Sequence, residues 1–229
     1  MRVAAVLAVD SAPNPWINFG YLADNWDRIL PYLGQHIRLT LISVLIGTVI
    51  ALPLAVLARR IRLFAAPILG LSTLLYTIPS LAMFAFIAPY TGLSPTTVII
   101  GLVLYSLVIL VRNFLAGLQA VPDEVREAAR GMGYGPARMF LKVELPLALP
   151  AFMTGLRVAT VSTVALVTVG VIVGQGGLGQ LIIVEGFRRN YFKAPIVFGT
   201  LLCILLALVL DQVLAFTERR LTPWTRRGT

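Results

Sequence analysis

The sequence feature that most constrains this chain is the length of its uncharged stretches. Residues 63–111 contain no Asp, Glu, Lys or Arg. A single helix over these residues would be about 74 Å long at ~1.5 Å per residue, against a bilayer hydrocarbon core of about 30 Å. The stretch therefore has to fold back, and the sequence PYTGLSP, from Pro89 to Pro95, supplies the proline and glycine residues of a break. Three further stretches are long enough to cross a bilayer: 39–58, 158–184 and 194–216, the last interrupted only by Asp211.

The composition assigns these stretches to a membrane. Hydrophobic residues make up 58% of the chain and charged residues 13%, against about 25% charged residues in soluble globular domains. Because so few charges cannot cover a water-facing surface of this size, the sequence predicts an all-α, polytopic helical membrane protein. About five spans are expected, at 38–58, 65–88, 96–115, 150–173 and 194–216.

The basic residues indicate an orientation. The chain has 19 Lys and Arg against 10 Asp and Glu, a net charge of +9, which in a soluble protein would suggest nucleic-acid binding. Here the basic residues lie in short clusters between apolar runs, so no nucleic-acid partner is expected. Lys and Arg favour cytoplasmic loops, which predicts the N-terminus outside and the C-terminus inside, with a basic cytoplasmic tail at 217–229. The basic group at 188–193 opposes this bias.

Residues 1–35 are expected to be extracytoplasmic. The apolar run at 3–9 has the minimum length of a signal peptide and a thin basic flank, so cleavage is not expected. From Trp26 to Ile37, apolar residues recur at helical spacing among charged ones, which predicts an amphipathic helix in the outer membrane interface. A poorly ordered tail is the alternative for residues 1–20. His36, the single histidine, is expected at the interface and not on a metal.

Two familiar nucleotide-binding patterns can be rejected. Gly174, Gly176 and Gly179 satisfy G-x-G-x-x-G, but they follow an apolar helix and not the buried strand of a βαβ unit. The same segment continues with Gln180 and Leu181, where a phosphate-binding P-loop has Lys and Ser or Thr. The chain itself is therefore expected to bind no cofactor and to hydrolyse no ATP.

Metal, disulfide and catalytic sites are not expected either. Cys203 is the only cysteine and no Cys/His cluster has zinc spacing. The patterns H-E-x-x-H and G-x-S-x-G are absent, as are pairs of carboxylates within the spans. An intramembrane enzyme or a stand-alone channel is thus a less favoured alternative, and the scarcity of carboxylates in the spans argues against a proton-coupled carrier.

A polar segment between the third and fourth spans, residues 117–147, is too long for a plain connector. A helix is expected to start at Asp123, where the macrodipole favours an acidic residue, and a second short helix at Pro136. The second helix is expected to present an apolar face that docks against another surface. That face consists of Met139, Phe140 and Val143.

Several residues of this segment stand at fixed offsets: Glu-Ala-Ala at 127–129, a glycine at 133, and an aliphatic residue followed by Leu-Pro within 143–146. In this pattern the sequence resembles the EAA loop of permease subunits of type I ATP-binding-cassette (ABC) importers. The resemblance covers about 36–216 and implies a permease domain of the type I importer fold there. It assigns contact with an ATPase to Glu127, Ala128, Ala129, Gly133, Pro136, Val143, Leu145 and Pro146.

The same resemblance implies an assembly in a bacterial inner membrane. In such importers the short helix of the loop fits a cleft on an ATPase subunit, and ATP-driven closure of two ATPases moves the permease helices between inward-facing and outward-facing states. The implied partners are two ATPase subunits that carry ATP and Mg²⁺, a second permease subunit, identical or related, an extracytoplasmic substrate-binding protein, and membrane lipid.

Three segments indicate a particular branch of this permease family. Residues 76–86, 105–113 and 173–179 resemble permeases for glycine betaine, carnitine, choline and related osmoprotectants. Related branches import other small solutes, such as methionine, and this alternative stays open. A proline kink that frees a backbone carbonyl would suit a pathway wall. The residues expected along the pathway are Tyr76, Pro79, Ser80, Tyr105, Gly176, Gly177 and Gly179.

One basic residue lies within or beside a predicted span. Arg157 would cost about 2.5 to 3.5 kcal/mol at the centre of a bilayer. It either lines the pathway or extends to the inner surface with its charged end in water, and its position shortly after the polar segment favours the second interpretation. Asp211 is expected near the inner end of the last span.

Overall fold

The computed structural model describes residues 14–226, and every regular element within this range is helical. The predicted all-α architecture is confirmed. The apolar run at 3–9 and the last three residues of the basic tail lie outside the described residues. The α-helices are α1 (Phe19–Asp24), α2 (Trp26–Arg60), α3 (Arg62–Thr77), α4 (Ser80–Thr91), α5 (Pro95–Gln119), α6 (Asp123–Gly131), α7 (Pro136–Met139), α8 (Leu145–Val167) and α9 (Lys193–Leu221). The other helical elements are two π-helical turns (Phe140–Glu144 and Gln180–Phe187) and two 3₁₀ segments (Thr168–Val173 and Pro223–Arg226).

Four continuous helical segments are long and apolar enough to cross a membrane, and the number is five if a bent pair of helices counts as one span. The prediction of about five spans is confirmed. The bent pair consists of α3 and α4, which turn by 97° relative to each other. The four continuous segments are Trp26–Arg60, Pro95–Gln119, Pro136–Val173 and Lys193–Leu221.

The break between α3 and α4 falls where the sequence predicts a kink. Pro79 has no N–H to continue a helix, and its ring disfavours the α conformation at the residue before it. Ile78 and Pro79 accordingly adopt extended backbone, with ψ angles of 127° and 135°. Where the sequence predicts one span over 65–88, the structure has two helices that meet at nearly a right angle.

The first span differs from the expectation at its N-terminal end. The predicted interfacial helix is not a separate element, because α2 runs without a break over 35 residues, about 52 Å at ~1.5 Å per residue. The reason is the packing of its first turns. Ile29 is fully buried in a hydrophobic cluster with Leu178 and Leu181, so these turns of α2 pack on the bundle.

The central helix of the bundle is α5, which packs against α2, α3, α4 and α8. Glycines allow two of these close approaches. A Cβ on Gly47 of α2 would lie 2.3 Å from the Ser106 hydroxyl oxygen of α5. A Cβ on Gly155 of α8 would lie 2.5 Å from the Cβ of Asn113. Such small residues at helix crossings are typical of membrane bundles, and here they bring α2 and α8 directly onto α5.

The span that follows the polar segment, α8, has one buried face and one open face. Phe152 and Thr163 are buried, and Phe152 joins the main hydrophobic cluster with α2 and α5. Thr154, Val158 and Val161 are exposed, and at ~3.6 residues per turn they lie on the opposite side of the helix. The bundle therefore covers one side of α8 and leaves the other side open.

Candidate functional sites

The polar segment is held together by one buried arginine, Arg126 of α6. Its guanidinium donates to the Asp123 carboxylate (2.6 Å), to the Glu144 carboxylate (3.0 Å) and to the Leu118 carbonyl (2.6 Å). Only 5% of the Arg126 side chain is exposed. A single side chain thus ties the start of α6 to the end of α5 and to the π turn that leads into α8.

Sequence reasoning missed Arg126 as an organising residue. Asp123, three residues away, could have been recognised as a helical neighbour. Glu144 lies 18 residues away, and no local pattern predicts that contact.

The residues predicted to contact an ATPase divide into an exposed set and a covered set. Glu127 and Ala128 are exposed on α6, whereas Ala129, one residue later, is buried. Gly133 is exposed in the turn between α6 and α7, and Pro136 is exposed as the first residue of α7. The remaining residues are only half-buried in the helical path that follows: Val143, Leu145 and Pro146.

Gly133 is required for its backbone conformation. Its φ angle is +78°, in the left-handed region, and no atom lies within 4 Å of a Cβ built there. Space is therefore available for a side chain, but an L-residue in this conformation is strained. The glycine ends α6 and reverses the chain toward Pro136.

The apolar face predicted on the second short helix docks on the helical bundle of the chain itself. Met139 is buried, and Phe140 packs against the main hydrophobic cluster. The large apolar side chains that do face outward are Met132, 67% exposed, and Leu141, 59% exposed. The surface on which this face docks is the end of α5, so the periodic face is covered by the chain itself.

The second short helix also has no hinge at Leu145–Pro146. The path from Pro136 to Val173 is one helical segment of 38 residues, in which residues 140–144 form a π turn. The Leu145 N–H donates to the Phe140 carbonyl, five residues back. The wider turn continues the helix past Pro146, which has no N–H to donate. The loop is thus joined rigidly to α8.

Four of the predicted pathway residues meet at the break between α3 and α4. The Tyr105 hydroxyl of α5 donates to the Ile78 carbonyl, which the proline break leaves free. The Tyr76 ring packs edge-on against the Tyr105 ring, with 5.8 Å between centroids. Pro79 and Ser80 form the break itself and the first residue of α4. Tyr105 is buried, whereas Tyr76 is exposed.

The predicted pathway glycines form a second group, in the turn after the 3₁₀ segment. A Cβ on Gly177 would lie 2.7 Å from the Cβ of His36, and a Cβ on Gly179 would lie 2.5 Å from the Thr168 carbonyl oxygen. Gly176 approaches the backbone of Val171 in the same way. The glycines therefore allow the turn to pack directly on neighbouring backbone.

His36 fastens this turn from within the protein. The side chain is fully buried. Its Nδ1 accepts the Leu178 N–H (3.2 Å), and its Nε2 lies 2.9 Å from the Val164 carbonyl. Both contacts are satisfied by the neutral ring with its proton on Nε2. The preceding residue, Gln35, accepts the Gly177 N–H at 2.9 Å.

Arg157 is paired with carboxylates of the last span. Its guanidinium makes two 2.8 Å hydrogen bonds to the two carboxylate oxygens of Asp211 in α9. A third contact, 3.5 Å long, reaches Glu218, about two turns further along α9. The charged residues that the sequence places separately in two spans are therefore a single ion cluster between α8 and α9.

The N-terminal segment is docked on the turn before the last span. The Tyr21 hydroxyl of α1 donates to Glu185 at 2.9 Å. Burial and the adjacent Glu185 carboxylate raise the pKa of Tyr21 above its ordinary value. Asn14 accepts the Lys193 N–H at 3.0 Å and donates to the Tyr191 carbonyl at 2.9 Å. The start of the described chain is thus tied to the segment that precedes α9.

Comparison with known proteins places this arrangement in a family. Residues 43–223 match the sequence model of a family described as binding-protein-dependent transport system inner membrane component. The chain is 36% identical over 203 residues to the choline transport system permease protein OpuBB of Bacillus subtilis, covering 89% of this chain and 93% of the relative.

Two further relatives are similar over comparable lengths. The glycine betaine/carnitine/choline transport system permease protein OpuCB of Bacillus subtilis is 34% identical over 208 residues, which are 91% of this chain and 95% of the relative. The osmoprotectant import permease protein OsmW of Salmonella typhimurium is 35% identical over 208 residues, 89% of this chain and 96% of the relative.

Two solved structures share the arrangement of helices. A chain of the MetNI methionine ABC transporter, in an inward-facing conformation, matches with a TM-score of 0.67 at 23% identity, covering 87% of this chain and 96% of that chain. A chain of an amino acid ABC transporter solved with histidines matches with a TM-score of 0.68 at 21% identity, covering 89% and 99%. These identities show the fold alone, and they confirm the predicted importer-permease fold.

Proposed function

Because the chain belongs to the family of binding-protein-dependent transport system inner membrane components, we propose that it is the permease subunit of an ABC importer for a small osmoprotectant such as glycine betaine, carnitine or choline. The observation that carries this substrate class is the 34–36% identity to relatives named for choline, for glycine betaine, carnitine and choline, and for osmoprotectant import. A methionine-like amino acid is the second candidate, but its support is a structural likeness at 23% identity, which speaks for the fold and not for the solute.

The chain is a multi-pass protein of the bacterial inner membrane and a transport subunit, not an enzyme. Binding-protein-dependent transport implies a separate substrate-binding protein. We further propose that two ATPase subunits bind ATP and Mg²⁺, and that a second permease subunit, identical or related, completes the pathway.

The proposed orientation puts the N-terminus outside and the EAA loop in the cytoplasm. It is supported by the clustering of basic residues at one end of the bundle. The junction of α2 and α3 carries Arg59, Arg60 and Arg62, and Arg59 lies 3.9 Å from Asp123 of the loop. Lys and Arg favour cytoplasmic segments, so the end that holds the loop is the proposed inner end.

The geometry of the loop suggests how a movement of an ATPase subunit would be transmitted to the membrane helices. An ATPase that binds the exposed Glu127 and the turn at Gly133 would move α6, and the Arg126 contacts tie α6 to Glu144. Glu144 belongs to the helical path that runs on through α8 without a hinge. A displacement of the loop would therefore reach the far end of α8 as a rigid-body movement, instead of being absorbed by a flexible connector.

The test of the substrate is ATP-driven uptake. The complex would be purified with its ATPase, its second permease and its binding protein, and reconstituted in liposomes. We expect ATP-dependent uptake of radiolabelled glycine betaine, carnitine or choline. Uptake of none of the three, or uptake of methionine instead, would contradict the proposed solute, and uptake without ATP would indicate a channel.

The test of the coupling residues uses a matched pair of double variants. Glu127→Gln with Gly133→Ala changes the proposed contact, whereas Glu124→Gln with Gly135→Ala makes the same chemical changes on exposed residues nearby. We expect the first variant to take up less solute per ATP hydrolysed and the second to resemble the wild type. Equal behaviour of the two variants would contradict the assignment.

A further inference from the structure

The ion cluster between α8 and α9 is asymmetric in charge. One guanidinium, that of Arg157, faces two carboxylates, those of Asp211 and Glu218. The bonds to Asp211 are 2.8 Å long, and the contact with Glu218 is longer, at 3.5 Å. The cluster therefore has one net negative charge, and Glu218 is the more weakly held of its two carboxylates.

The cluster is not sealed between the helices. About a third of the Arg157 side chain (33%) is exposed, as are 22% of Asp211 and 23% of Glu218. It borders a groove of about 380 Å³ on the open face of α8, within the ~300 to 1,000 Å³ typical of small-molecule sites. The groove is lined by Thr154, Arg157, Val158, Val161, Ser162 and Asp211.

The depth of the groove makes lipid an unsuitable covering for it. Asp211 lies eight residues before Arg219 in the same helix, about 12 Å along the axis. Charged side chains at such a depth are costly against hydrocarbon, and they face a bundle interior or a water-filled cavity. In the assembled permease, protein or the aqueous pathway is therefore a more favourable neighbour for the open face of α8 than hydrocarbon.

We propose that this groove is a solute-contact site on the translocation pathway, in which Asp211 attracts a quaternary ammonium group and Arg157 binds the carboxylate of a zwitterionic solute. The proposal rests on the proposed function and adds the residues that separate its solutes by charge. Choline carries only the cation, whereas glycine betaine carries both charges. The net negative charge suits the cation, and the guanidinium is the one group of the cluster that can pair with a carboxylate.

Opposite charge changes provide the test, through the ratio of choline uptake to glycine betaine uptake in proteoliposomes. Asp211→Asn removes a negative charge, so we expect this ratio to fall by about threefold to tenfold, the effect of a partly screened charge contact. Arg157→Gln removes the positive charge, and we expect the ratio to rise by a similar factor. Glu185→Gln is the control, because Glu185 contacts Tyr21 and not the groove.

The outcomes separate a solute site from a structural crosslink. If the cluster only joins α8 to α9, both variants lose uptake of the two solutes in parallel, and the proposal is overturned. The double variant Arg157→Gln with Asp211→Asn removes both charges, and we expect a ratio between those of the single variants. If the wild type takes up neither solute, the proposed function fails first, and that result is distinct from an unchanged ratio.

A second measurement is independent of solute identity. In a Cys203→Ser background, Val158→Cys places a thiol on the groove, and Leu205→Cys places one on the exposed apolar face of α9. We expect a charged, water-soluble thiol reagent to label Val158→Cys and to leave Leu205→Cys unlabelled in the assembled complex. Labelling of neither would show that the groove is closed to water, and this would overturn the proposal.

Discussion

Two prolines in this chain have opposite effects on the helices that hold them. At Pro79 the backbone is extended and the chain turns by 97° between α3 and α4. At Pro146 the helical path continues from Pro136 to Val173. Both residues lack an N–H, so the difference lies in what becomes of the neighbouring backbone groups.

The comparison shows two ways in which the backbone beside a proline is accommodated. Before Pro146, a π turn shifts the hydrogen bonds by one residue, and the Leu145 N–H finds the Phe140 carbonyl. At Pro79, the Ile78 carbonyl accepts a hydrogen bond from a side chain of another helix, the Tyr105 hydroxyl. The region around Pro146 is a rigid connection from the loop to α8. The region around Pro79 is a fixed corner, held by the contact between Ile78 and Tyr105 of α5.

The largest effect on stability and uptake is expected at Arg126, which ties the loop to the start of the path into α8. Arg126→Ala leaves the half-buried Glu144 carboxylate without its guanidinium, and breaking a buried pair costs about 3–5 kcal/mol. We expect the thermal unfolding midpoint of the purified complex to fall and coupled uptake to be lost. Arg130→Ala, at an exposed position of the same helix, is the control. Equal midpoints for the two variants would show that Arg126 does not fasten the loop.

A smaller effect is expected at the turn of the loop. Gly133→Ala forces a Cβ into a φ of +78°, which costs about 1–2 kcal/mol. Gly135→Ala is a matched control, because Gly135 has an ordinary φ of −71° and equally open space around it. We expect only Gly133→Ala to lower the thermal midpoint. A loss with Gly135→Ala as well would mean that the loop depends on something other than its left-handed residue.

The fixed corner can be tested by removing one hydroxyl. Tyr105→Phe keeps the ring contact with Tyr76 but leaves the Ile78 carbonyl without its donor, at a cost of about 0.5–1.5 kcal/mol. We expect a modest fall in the thermal midpoint and slower uptake. Tyr90→Phe, at the exposed end of α4, should change neither. A Tyr105→Phe variant that matches the wild type would show that Pro79 holds the corner without help.

The smallest effect on stability and uptake is expected at Pro146. Pro146→Ala restores an N–H in a helix that is already continuous, so the change acts mainly through the unfolded chain and amounts to less than about 1 kcal/mol. We expect uptake close to that of the wild type. A large loss of uptake with a normal thermal midpoint would indicate that the proline itself takes part in movement of the loop.

The spans could be predicted because each is a local property of the sequence. Uncharged length alone locates the membrane segments, and Pro79 marks the corner, although nothing in the sequence fixes its 97° angle. The fastening residues could not be predicted, because their partners are distant. His36 contacts a carbonyl 128 residues away, and Arg157 contacts a carboxylate 54 residues away. The inward orientation of Met139 likewise depends on how the loop folds over α5, which periodicity does not reveal.

The docking of the first helix has a consequence for the order in which the chain is made. Tyr21 donates to Glu185, which is synthesised 164 residues later. At ~5–20 residues per second, the ribosome needs about 8 to 30 s to supply that partner. The N-terminal helix α1 therefore cannot dock until a residue near the start of the last span has been synthesised. By then, four of the five membrane crossings have been translated.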